Sequence, residues 1–259
     1  MCRMIAFVGS RDTDLQIIYS AFREGSQCDP YAQAVFGPGQ GCHPHGWGYA
    51  LYDGINLHHF RSSRPAWEEQ VRLPAIRGPY VYAIFHSRLA SNPALNSAVC
   101  SHPFLLATDK EILLLAHNGG VQTEPSTPQA IVDSEWALGR IADMGIEAAL
   151  PLLKDRTLRN SALNLILLAI PRDKNTLPAV HGLNFFKTED PARRAYYTMY
   201  VAEFGGGKLF FSSTFKDLKM NALAKIEAAP FEELFSLQSN LQPEHERKAD
   251  LSNMPTINT

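Results

Sequence analysis

The chain has 259 residues, 45% of them hydrophobic and 19% charged, with a formal net charge of −2. That composition suits a globular protein with a substantial core, and no basic stretch gives an electrostatic basis for binding nucleic acid or an anionic membrane. The longest strongly apolar run, Leu163 to Ile170, is interrupted by Asn164 and falls far short of the ~20 residues that span a bilayer.

The N-terminus enters an apolar segment directly, without the longer apolar core and cleavage site of a signal peptide, so a cytoplasmic protein is the default expectation. Residues 2–9 read as a buried strand ending at Gly9-Ser10. Leu15, Ile18, Tyr19 and Phe22 then follow helical spacing, with Gly25 as the predicted stop. Residues 37–46, rich in Gly, Pro and His, read as a loop. Residues 47–52 and 55–60 predict a hairpin around Asp53-Gly54, since that dipeptide tolerates the positive φ of tight turns. A short helix is expected around residues 67–76. Strands are expected at 80–87, 104–108 and 111–117, the last two joined by Asp109-Lys110.

Residues 134–150 predict one helix, with Ala137, Ile141 and Met144 on a common face and Pro151 near its end. Four apolar segments at about 162–170, 179–186, 196–203 and 208–213 read as strands covered on both faces. A last helix is expected at about 217–238. Many strands and few helices, without regular alternation, indicate an α+β fold. Residues 1–238 read as one domain and the polar segment 239–259 as a loosely held tail.

Cys2 stands directly behind Met1. Methionine is readily trimmed before a small residue, and trimming here exposes a thiol and an α-amine on one carbon. Their ordinary pKa values, near ~8.5 and ~8, are close enough for the amine to serve as the thiol's base. The alternative is a small buried residue on the first strand. The other cysteines, at 28, 42 and 100, form no CxxC pair or zinc-like spacing, and free thiols are expected. The His43-Pro44-His45 and His58-His59 pairs lack a matching carboxylate or cysteine pattern, so neither a metal nor another cofactor is expected.

Five patches follow Cys2 in order: His45-Gly46-Trp47-Gly48-Tyr49-Ala50, Phe85-His86-Ser87-Arg88-Leu89-Ala90-Ser91, Ser101-His102-Pro103-Phe104, Ala116-His117-Asn118-Gly119-Gly120 and Val132-Asp133-Ser134-Glu135. In this order behind an N-terminal cysteine they resemble the class II glutamine amidotransferases of the N-terminal nucleophile hydrolase superfamily. A weaker echo lies at Phe211-Ser212-Ser213. The resemblance implies a four-layer αββα sandwich of two mostly antiparallel sheets. It implies Cys2 as nucleophile toward the side-chain amide of glutamine, and Asn118-Gly119 as the oxyanion-hole pair, although Asn-Gly is also a common turn dipeptide. Arg88 matches the arginine for the substrate α-carboxylate and Asp133 the acid for its α-ammonium; an ordinary ion-pair role is the alternative for each.

Ser91 stands where the family usually has a substrate-contacting threonine. Leu89 and Asn92 replace a tryptophan and a histidine common in synthase-linked members. His86, His102 and His117 read as structural hydrogen-bonding groups near the site, and Trp47 as packing beneath the nucleophile. Roughly 120 residues follow Asp133, enough to finish a hydrolase domain, so the chain is similar to stand-alone members. The expected substrate is glutamine or a γ-glutamyl compound, with a separate ammonia-accepting synthase subunit as a conceivable partner. Two alternatives stay open: a hydrolase of a γ-glutamyl amide in a larger molecule, as in ergothioneine biosynthesis, and an inactive regulatory relative.

Overall fold

The computed structural model describes residues 2–124, 132–218 and 223–237. In chain order, β1 (Cys2–Ser10) leads through α1 (Leu15–Gln27) and α2 (Pro30–Phe36) to the hairpin β2 (Trp47–Tyr52) and β3 (Leu57–Ser62), and then to β4 (Tyr80–Arg88). A second hairpin, β5 (Phe104–Ala107) and β6 (Glu111–Gly119), precedes α3 (Asp133–Met144) and α4 (Ile146–Asp155). There follow β7 (Ser161–Pro171), β8 (Ala179–Leu183), the short β9 (Phe186–Lys187) and α5 (Pro191–Tyr197). The last strands are β10 (Met199–Phe204), β11 (Gly207–Ser212), β12 (Ala224–Ala228) and β13 (Leu234–Leu237).

These strands form a seven-stranded sheet, ordered β12-β10-β11-β1-β4-β2-β3, and a second sheet ordered β13-β8-β7-β6-β5. Every pairing between named strands is antiparallel. Side-chain alternation along each strand sorts the core into layers. Met4, Ala6 and Val8 of β1 meet Leu114 and Ala116 of β6 and Ile166 and Leu168 of β7 between the sheets. Ile5 and Phe7 point the other way and pack with Ile18, Tyr19 and Phe22 of α1. On the far side, Leu113 and Leu115 pack with Trp136, Leu138 and Ile141 of α3 and Leu153 of α4. The expected α+β, four-layer αββα sandwich is what the chain forms.

Several local expectations differ from the structure. Helix α1 runs past Gly25 to Gln27, because that glycine is used for packing: a Cβ there would sit 2.6 Å from the Phe215 ring. Helix α2, absent from the sequence reading, is short and begins at Pro30 behind Asp29, whose carboxylate caps Tyr31 N and Ala32 N at 3.1 Å. The β2–β3 loop is longer than the dipeptide implied. Asp53 accepts from the backbone of Ile55 and Asn56 at 2.9 and 2.7 Å, and β3 begins at Leu57.

Residues 67–76 are not helical. After a turn they run irregularly, and Leu73 precedes Pro74, which disfavours helical φ/ψ; Val71, Leu73 and Ile76 pack on the α1-side core. The single helix expected over 134–150 is two, broken at Gly145 with φ +80°, which leaves Met144 47% exposed rather than on the buried face. Tyr196 and Tyr197 belong to α5, not to a strand. The helix expected over 217–238 is replaced, among its described residues, by β12 and β13. These pair with β10 and β8, so the sheets' unsatisfied backbone outweighs the helix propensity of Ala, Lys and Glu. The expected tail, 239–259, lies outside the described residues.

Candidate active site

Alternation brings several polar groups to one end of the gap between the sheets. Cys2 shares the inward face of β1 with Met4, and His86 and Arg88 share that of β4 with Ile84. Asn118 shares the inward face of β6 with Leu114 and Ala116, and Asn164 that of β7 with Ile166. The first residue of β1, the last residues of β4 and β6 and the beginning of β7 therefore converge. Away from this end the inward faces carry Met4, Ala6 and Val8 on β1, Ile84 on β4, Leu114 and Ala116 on β6 and Ile166 and Leu168 on β7.

Cys2 is 7% exposed and pairs in register with Arg88. Its backbone nitrogen donates to Asn118 Oδ1 at 2.9 Å. The other end of that amide, Nδ2, is buried and meets no hydrogen-bond partner among the described residues. A buried donor left unmade costs about 1–3 kcal/mol, so this one is held ready for an acceptor not supplied by the fold. Gly119 follows with φ +147°, and a Cβ there would lie 1.7 Å from Ala162 O. Only glycine lets β6 approach the start of β7 so closely.

Burial pushes the Cys2 thiol up, but the positive chain terminus, His86 and Arg88 together bring it down to about 6. A buried cysteine in ordinary apolar surroundings shifts the other way. Arg88 is itself 7% exposed; its Nη1 donates to Leu95 O at 2.8 Å, and its backbone N and O are tied to Gly46 and His45 at 2.9 Å. Asp133 begins α3. Its Oδ2 accepts from Val121 N at 2.9 Å, two residues past Gly119, and its charge acts on buried His117. Cys2, Arg88, Asn118 and Gly119 are thus brought together, and Asp133 adjoins them through Val121. Ser91 is exposed on the loop after β4 and is not drawn into this cluster.

The three histidines differ in their surroundings. His117 Nδ1 is 2.9 Å from Ser134 Oγ, while His86 Nε2 donates to the His117 carbonyl at 3.1 Å. The His102 ring lies 4.0 Å from that of His86, and both His102 nitrogens are buried without hydrogen-bond partners among the described residues. Burial holds its pKa well below the usual histidine value. Trp47 lies on the opposite face of its sheet from the thiol, stacked on Tyr19 at 5.6 Å with Nε1 donating to Glu69 at 2.6 Å. The flanking glycines make room instead: a Cβ at Gly48 would meet His102 O at 2.4 Å, and one at Gly46 would meet Ser101 Oγ at 2.3 Å.

A buried polar network behind β1 was not legible as such. Arg3 Nε and Nη2 donate to Asp29 at 2.6 and 3.2 Å, and Thr214 Oγ1 and His43 Nε2 reach the same carboxylate at 2.6 and 2.8 Å. The Arg3 guanidinium lies 3.7 Å over the Tyr196 ring, and the Tyr196 hydroxyl donates to Cys2 O at 3.4 Å. Asn164 joins this end as well, donating to Tyr197 O at 2.6 Å. Its sequence signal is the one polar residue inside an otherwise apolar run. Among the described residues, no group of three His, Cys, Asp or Glu side chains is arranged to hold a metal ion. All four cysteines are unpaired.

No protein-family model and no curated protein sequence matches the chain. Among solved structures, it is similar to glutamine phosphoribosylpyrophosphate amidotransferase from B. subtilis, in complex with ADP and GMP, with a TM-score of 0.54, 16% identity and 92% of this chain covered. It is also similar to a structure described as the allosteric regulatory enzyme of purine biosynthesis, with a TM-score of 0.57, 16% identity and again 92% of this chain covered. The chain spans about half the length of both, 50% and 49%. At this identity the likeness is one of fold, the four-layer αββα sandwich described above.

Proposed function

We propose that this chain is a glutamine amidohydrolase whose nucleophile is the thiol of Cys2 after removal of Met1. The observation that carries the reading is the pair of roles taken by Asn118: Oδ1 grips the nitrogen of Cys2 while Nδ2 stays buried and unpartnered. A free α-amine has two hydrogens and a lone pair. Donating one hydrogen to Asn118 leaves the lone pair to take the thiol proton. A peptide nitrogen cannot do so, because its lone pair is delocalised into the carbonyl.

The thiolate attacks the side-chain amide carbon of glutamine, and the carbonyl oxygen becomes an oxyanion within reach of Asn118 Nδ2 and the backbone at Gly119. The amine returns its proton to the leaving nitrogen, ammonia departs, and a γ-glutamyl thioester remains. Water then adds to the thioester, releasing glutamate and restoring the thiol. Arg88 would hold the α-carboxylate through its planar fork and Asp133 the α-ammonium, orienting the amide toward Cys2. Ser91, exposed on its loop, has the weakest case as a substrate contact.

The test is to treat the protein with a diazoketone analogue of glutamine and map the modified peptide. Modification of Cys2 alone, blocked by excess glutamine, is the expected result; labelling elsewhere or no protection removes the proposal. Intact mass of the active material should lack Met1. Assay of glutamine beside a panel of γ-glutamyl amides then fixes the substrate.

A further inference from the structure

We propose that Cys28 and Cys42 are a redox pair, two thiols set opposite each other at the surface and able to close a reversible disulfide over the polar network behind β1. Neither thiol takes part in the hydrolysis proposed above, so the pairing stands or falls apart from it.

Backbone register brings the two residues together. Leaving α1, Cys28 (φ −134°, ψ 102°) and Asp29 (φ −122°, ψ 95°) are extended. Helix α2 carries the chain outward, and Gly37 and Gly39, with φ +98° and +82°, turn it back. The returning segment runs antiparallel to the departing one: Asp29 N donates to Gly41 O at 2.7 Å, and His43 N donates to Ser26 O at 2.8 Å. The first bond sets Asp29 opposite Gly41, and so Cys28 opposite Cys42. Gln27, the last residue of α1, is the extra residue that the second bond spans. The Cys28 N–H points away from the returning segment, donating to Glu24 O at 2.9 Å. Cys28 and Cys42 therefore occupy a non-hydrogen-bonded antiparallel position. Such positions hold their Cα atoms about 4.5 Å apart, and a disulfide accepts about 4.4–6.8 Å.

Side-chain parity puts both sulfurs on one face. Neighbouring side chains of an extended segment point to opposite sides. The side chains of Asp29 and His43 are at 0% exposure and meet at 2.8 Å on the inward side. Cys28 and Cys42, one residue before each, share the outward side. Their surroundings agree, since Cys28 is exposed and Cys42 half-buried, whereas Cys2 and Cys100 are buried.

The oxidant is a small-molecule disulfide. The thiolate of Cys28, the more accessible, attacks one of its sulfurs and expels a thiolate, leaving a mixed disulfide on Cys28. The thiolate of Cys42 then attacks the Cys28 sulfur and expels the second thiolate as the Cys28–Cys42 bond forms. Two protein thiols lose two electrons and two protons, and the reagent gains them as two small thiols. Excess thiol runs the exchange backward. The bond ties together the residues preceding Asp29 and His43, and so clamps the carboxylate that holds Arg3.

The experiment incubates the protein with oxidised glutathione, blocks the remaining thiols with iodoacetamide and digests with a protease that cuts before aspartate. Cleavage at Asp29 separates the two cysteines, so wild type should yield peptides 14–28 and 29–52 joined by a disulfide that a reductant releases. Cys28→Ser should instead keep glutathione on Cys42. Separate glutathione adducts on Cys28 and Cys42 in wild type, or two alkylated thiols, overturn the pairing. The urea midpoint of wild type should be higher in the oxidised form than in the reduced one, a gain that Cys28→Ser should lack. Equal midpoints in the two forms of wild type overturn the clamp on the network.

Discussion

Asn118 Oδ1 accepts a hydrogen from the nitrogen of Cys2 at 2.9 Å, joining the first described residue of the chain to one 116 positions later. One amide thereby fixes the nucleophile's own nitrogen and keeps its second end, Nδ2, for a negative oxygen. Asn118→Ala should lower kcat for glutamine by about 10²–10³-fold with a smaller change in KM, because the donor acts on charge that develops during attack. Steady-state kinetics with an ammonia-coupled assay checks this. A loss confined to KM would move Asn118 from the oxyanion to ground-state binding.

Cys2→Ala should abolish hydrolysis while leaving the thermal midpoint little changed, since alanine fills most of the same buried space. Turnover above a few per cent of wild type in this variant would remove the sulfur from the reaction.

Arg88→Lys should raise KM about 10–100-fold, because a point charge cannot reproduce two parallel N–H donors and also keep the bond to Leu95 O. Glutaminase kinetics at saturating substrate should recover most of kcat. Equal affinity in the two proteins would place the α-carboxylate elsewhere.

Gly119→Ala should be destabilising by about 1–3 kcal/mol and should impair turnover as well, since a Cβ would lie 1.7 Å from Ala162 O at a backbone φ of +147°. Urea unfolding measures the first effect. A variant as stable as wild type would mean that β6 and β7 can separate without cost.

Acid should weaken the fold through His43. Burial lowers its pKa to about 4, although Asp29 opposes the shift, and an unfolded histidine titrates near ~6.5. The folded state therefore binds fewer protons between these values, so this contribution is complete above the unfolded pKa and is lost as pH falls from ~6.5 toward about 4. Urea midpoints at pH 7.5 and pH 5 should differ in wild type, and the difference should shrink in His43→Asn. Asp29→Ala should cost more, about 3–5 kcal/mol, because it strands the Arg3 guanidinium at a site with no exposure.

The strands that carry the site were legible because each obeys the alternation of a strand with a face to bury. The residues 2–9, 80–87 and 111–117 were placed within one or two positions of β1, β4 and β6, and the motif residues Cys2, Arg88 and Asn118 stand at their ends. Alternation along a strand is a local property, and the inward parity of Cys2, His86 and Asn118 follows from it. The elements misread were those whose form depends on distant partners. The segment 67–76 is irregular rather than helical because its apolar side chains lie over α1's core, and β12 and β13 exist because β10 and β8 offer them unpaired backbone.

The sequence by itself determined which residue types are available for the chemistry: one cysteine behind the initiator, an arginine, an asparagine-glycine pair and an acid, each closing or following a periodic segment. Only the tertiary structure decided which of them meet. Two sheets packing face to face bring the start of β1 and the end of β6 together across the gap, and there Asn118 grips the nitrogen of Cys2 while its own Nδ2 is buried with its hydrogen bond unmade. A hydrogen bond left unmade is a property of the surroundings, and no pattern along a single chain can display it.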